Sequence, residues 1–169
     1  MTTPATPADD DLTVFVAVSA ALTGIDADLL RPQPVDAHGT AQTYLDTVRA
    51  NDADGLTALL ALYRANSPKL PPNEIAALIM SKDSPVKALG RSVIALWYLA
   101  SWYEPTALGK LKKGDPSPAF VTVSMDAYTQ SWIWRIAQTH PMGYSEWQFG
   151  YWAKDPRPLT DFIGEGKGL

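Results

Sequence analysis

Pro85-Val-Lys-Ala-Leu-Gly-Arg-Ser-Val-Ile-Ala-Leu-Trp-Tyr-Leu-Ala-Ser-Trp-Tyr103 carries the longest apolar pattern in the chain. Leu89, Val93, Leu96, Trp97, Ala100 and Tyr103 recur at steps of three and four, which places them on one broad helical face. Ser84-Pro85 reads as an N-cap followed by a proline in the first turn. A helix is therefore expected over Pro85–Tyr103, at the centre of the fold.

The same spacing extends outward in both directions. A first helix is expected over Asp10–Leu22, with acidic residues at its positive N-terminal end. Leu12, Phe15, Ser19 and Leu22 line one face and Val14, Val18 and Ala21 the other, so both faces are expected to be buried. Gly24 is placed to stop it. A second helix spans Thr40–Ala50 on Tyr44, Leu45 and Val48. A third follows the Asn51–Gly55 turn to Ala65 on Leu56, Leu59, Leu60 and Tyr63. Pro72 opens a fourth, running to Lys82 on Ile75, Leu78 and Ile79. Residues 105–119 are expected as an exposed loop, Phe120-Val-Thr-Val123 as a short strand, and Asp126–Gln138 as a sixth helix. The class is all-α: a single helical domain of about six helices with an irregular, aromatic-rich C-terminal tail. Residues 1–9 read as a disordered arm, 10–156 as the domain and 157–169 as a flexible tail.

Composition narrows the function. The chain has 169 residues and a net charge of -4, so a phosphate-neutralising nucleic-acid surface is not expected. It has no cysteine, which removes thiolate catalysis, c-type haem attachment and Cys-ligated metal. Its longest apolar stretches, Val14–Leu22 and Val93–Trp102, fall short of the ~20 residues of a membrane helix, so no direct membrane insertion is expected. Charge and aromatic content are uneven. Residues 1–60 hold nine acids and two bases, whereas 61–169 hold nine acids and twelve bases. All six Trp lie at or after Trp97.

No catalytic, cofactor-binding or metal-binding set emerges. His38 and His140 stand alone in turn-like contexts, without a metal-ligand spacing. Asp52 and Asp54 sit in an Asn/Asp/Gly turn, where capping is the ordinary role. Gly164-Glu-Gly-Lys-Gly168 has the composition of a phosphate loop without its strand and helix. Lys110-Leu-Lys-Lys113 reads as a solvated basic loop. The strongest signal is Tyr144, Trp147, Phe149, Tyr151 and Trp152, five aromatics without helical or strand period, followed by Lys154 and Arg157. Two readings of it stand together: it completes the core of its own domain, or it forms a partner-binding surface with an aromatic centre and a basic rim.

The order of several segments is familiar. Asp11-Leu-Thr-Val-Phe-Val-Ala-Val-Ser-Ala-Ala-Leu-Thr-Gly24, Ile94-Ala-Leu-Trp-Tyr-Leu-Ala100, Asp126-Ala-Tyr128, Pro141-Met-Gly-Tyr144 and Gly150-Tyr-Trp-Ala-Lys-Asp-Pro156 appear in sequence. Together they resemble the small (gamma) subunit of bacterial membrane-associated flavin-dependent sugar and alcohol dehydrogenase complexes, of the sorbitol, fructose, glucose and gluconate type. The resemblance spans about residues 11–156. It implies a non-catalytic subunit that binds, stabilises and escorts for export an FAD-containing catalytic subunit, with no cofactor in this chain. It also implies a periplasmic location, twin-arginine translocation and a cytochrome c subunit among the partners. Three features depart from the family pattern. The family's signal is not seen here, Thr139-His140-Pro141 stands where members often carry a cysteine, and the 105–119 loop is longer. The competing readings are a free-standing small-molecule binding protein with a Trp-rich pocket, and an enzyme with an unrecognised Asp/Glu site.

Overall fold

The computed structural model describes residues 7–32, 38–110, 119–139, 158 and 160–163. The order is α1 (Pro7–Thr23), α2 (Ala27–Leu30), α3 (Thr40–Asn51), α4 (Ala53–Asn66), α5 (Pro72–Ile79), α6 (Lys87–Leu99), β1 (Ser101–Tyr103), α7 (Pro105–Lys110), β2 (Phe120–Thr122), α8 (Met125–Gln130), α9 (Trp132–Ile136) and α10 (Thr160–Ile163). The protein is mostly helical, and the described residues include a small antiparallel sheet of two strands.

α1 buries one broad face; of the second face expected to be buried, Val18 is, while Val14 and Ala21 are only half-buried. Leu12, Phe15, Val16, Val18 and Ser19 are all buried, and the helix touches α2, α3, α4, α5 and α6. It begins at Pro7, inside the stretch expected as an arm, and ends where Gly24 takes a φ of 73° and returns its N–H to the Ala20 carbonyl. Asp11 ties its start to two neighbours, accepting from Arg49 of α3 at 3.4 Å and Arg64 of α4 at 2.6 Å. The Tyr98 hydroxyl of α6 ties its end, donating to the Thr23 carbonyl at 2.9 Å.

The other helices follow their apolar stripes. α3 buries Ala41, Tyr44, Leu45 and Val48. α4 buries Leu56, Leu59 and Leu60, and the Asp52 carboxylate caps it by accepting from the Gly55 N–H at 2.9 Å. α5 starts on Pro72 and buries Ile75 and Ile79, while Leu78 stays exposed. α6 buries Leu89, Gly90, Ser92, Val93, Leu96 and Trp97. At Gly90 the helices come close: a Cβ there would sit 3.0 Å from the Ile79 methyl of α5. Trp97 lies edge-to-face against Tyr44, with ring centroids 4.9 Å apart.

Several boundaries differ from expectation: the helix expected to run to Lys82 ends at Ile79, and the others have local reasons. The helix expected over Pro85–Tyr103 starts at Lys87, because Pro85 and Val86 form a tighter turn closed by Lys87 N–H on the Ser84 carbonyl. It stops at Leu99, because Ala100 adopts the left-handed conformation (φ 51°) and sends the chain into β1. The loop expected over 105–119 opens with α7, whose Leu108 is buried. The helix expected over Asp126–Gln138 is two helices, because Ser131 is extended (ψ 144°) and the Trp134 indole N–H donates to the Tyr128 carbonyl at 2.8 Å. In the stretch expected as a flexible tail, α10 is ordered against the core: Asp26 N–H donates to the Ile163 carbonyl at 3.1 Å, and Ile163 packs on the apolar cluster.

Candidate functional site

The left-handed turn at Ala100 folds the next strand back beneath α6 and leaves its partner strand at the surface. β1 runs under α6 and is wholly buried. The buried Ser92 hydroxyl of α6 donates to the Tyr103 carbonyl at 2.7 Å, and the Arg91 guanidinium donates to the Leu108 carbonyl of α7 at 2.9 Å. β2 lies on the outside of β1. Ser101 faces Thr122, Trp102 faces Val121, and Tyr103 faces Phe120. Every residue of β2 is exposed.

The exposure concentrates on apolar atoms. Phe120 is 53% exposed, Val121 67% and Met125, at the start of α8, 64%. The Phe120 ring leans on Tyr103 at 5.3 Å, which covers only part of it. Beside the hairpin, Trp102, Val121, Thr122 and Val123 join Thr47 and Asn51 from the end of α3 around an open pocket of about 200 Å³. That is below the roughly 300–1,000 Å³ of most small-molecule sites, and of the size that one bulky apolar side chain fills. Isolated apolar residues on a surface are ordinary; Phe120, Val121 and Met125 instead lie close together on β2 and the start of α8, which makes this patch the candidate surface.

The polar residues singled out in the sequence do not converge on a reactive centre. His38 is half exposed, with Nδ1 3.3 Å from a carboxylate oxygen of Asp126, and among the described residues it meets no serine hydroxyl. Asp52 is the α4 cap, and Asp54 is exposed in the first turn of that helix. Lys110 is exposed at the end of α7. Among the described residues no group of three or more His, Asp or Glu is placed to hold a metal ion. No described helix is long and apolar enough to cross a membrane. Among the described residues, the titrating groups with displaced pKa values are tyrosines of the helical layers. Burial raises the Tyr44, Tyr63 and Tyr98 phenols above their ordinary value. The partner-binding set Tyr144, Trp147, Phe149, Tyr151, Trp152, Lys154 and Arg157 lies outside the described residues, as do His140, the Gly164–Gly168 run and the rest of the basic loop after Lys110.

β2 itself was legible as a strand from the alternation in Phe120-Val-Thr-Val123, but its role as a surface was not. The available signal was chemical: Phe120 on one face and Val121 and Val123 on the other make both faces apolar in part, and none of the four residues carries a charge. Comparison of the chain with family models, with curated proteins and with solved structures finds no match.

Proposed function

We propose that this chain is the non-catalytic small subunit of a flavin-dependent sugar or alcohol dehydrogenase complex. It binds and stabilises the FAD-containing catalytic subunit and escorts it for export to the periplasm, where a cytochrome c subunit completes the assembly. The observation that carries this reading is the uncharged, exposed strand β2 with Met125 beside it. An exposed apolar cluster of that kind is a surface that another chain can cover. The resemblance of residues 11–156 to the gamma subunits supplies the identity of the covering chain. On the same reading, Tyr144, Trp147, Phe149, Tyr151 and Trp152 add aromatic anchors and Lys154 and Arg157 a basic rim.

The test is co-expression with an FAD-containing dehydrogenase subunit of this type, followed by size-exclusion chromatography read at the flavin absorbance. The expected result is one complex containing both chains, and a catalytic subunit that melts at a higher temperature inside it. The isolated chain, given sugars and an artificial electron acceptor, is expected to oxidise nothing. Separate elution of the two chains, or oxidation by the isolated chain, overturns the proposal.

A further inference from the structure

We draw no further inference here: the strongest candidate, the exposed apolar patch of Phe120 and Val121 on β2 and Met125 at the start of α8 with the open pocket beside it, carries nothing beyond the reading above, because nothing in the structure shows what covers it.

Discussion

Replacing Tyr44 by Phe is expected to make the protein more stable. Tyr44 is 1% exposed, and its hydroxyl has no hydrogen-bond partner among the described residues. The ring is well placed, edge-to-face with Trp97 at 4.9 Å, and Phe keeps that ring and its contacts. What is removed is a buried, unpaired hydroxyl, whose desolvation costs about 1–3 kcal/mol. The small void left by the oxygen returns part of this, so a gain of about 1–2 kcal/mol is expected. For a chain of this length each kcal/mol moves Tm by roughly 2–4 °C, giving a rise of about 2–8 °C at neutral pH. Alkali adds a second reading. Burial raises the Tyr44 phenol above its ordinary value of 10.0, so above that pH the unfolded chain ionises while the folded chain holds the proton. The folded state then binds more protons than the unfolded one, and stability falls as pH rises past about 10. Tyr63 and Tyr98 act in the same direction. Tyr44→Phe removes one contributor, so its advantage over the wild type is expected to widen above pH 10. Calorimetry of both proteins at neutral and alkaline pH measures each quantity. A variant that melts below the wild type at neutral pH, or an advantage that does not grow in alkali, refutes the reasoning.

Trp97→Ala is expected to cost about 3–5 kcal/mol, the range for emptying a fully buried aromatic site, and chemical denaturation will read it as a lower midpoint; Trp97 is 1% exposed between α6 and α3. Asp52→Ala removes the carboxylate that accepts from Gly55 N–H and is expected to cost about 0.5–2 kcal/mol, with the loss measured by thermal melting and recovered in Asp52→Asn, which can still cap.

The helical framework was readable wherever one residue type has a single inexpensive use. The apolar triplets of α3 and α4 allowed no other face, Pro72 fits only a first turn, and Asp52 in an Asn/Asp/Gly context is a cap. The errors share a different cause. Ala100 reads as a continuing helix, because nothing about alanine announces a left-handed φ; glycine or asparagine at that position would have signalled the reversal. Ser131 likewise gives no warning, since the break there depends on the Trp134 indole finding the Tyr128 carbonyl on the far side of it. The exposure of β2 was hidden for the same reason. A strand's exposure depends on what lies across from it, and the closing of β1 by Ser92 is a contact between distant turns of the chain. The aromatic run from Tyr144 to Trp152 was conspicuous in composition, but period and spacing alone do not say which neighbour it meets.

The position of α1 has a consequence for synthesis. α1 is made before the helices α2 through α6 that surround it, so its apolar surface waits for partners that end only at Leu99. At ~5–20 residues per second that wait lasts about 4–15 s. Until α3, α4 and α5 have followed, Phe15 and Val18 lack most of the neighbours that bury them. The last described helix, α10, fastens beside α2 through Asp26, so the N-terminal layer is sealed only after the C-terminal residues have been made. Among the described elements, an early helix therefore needs shelter until α6 is made, and a late one, α10, closes beside it.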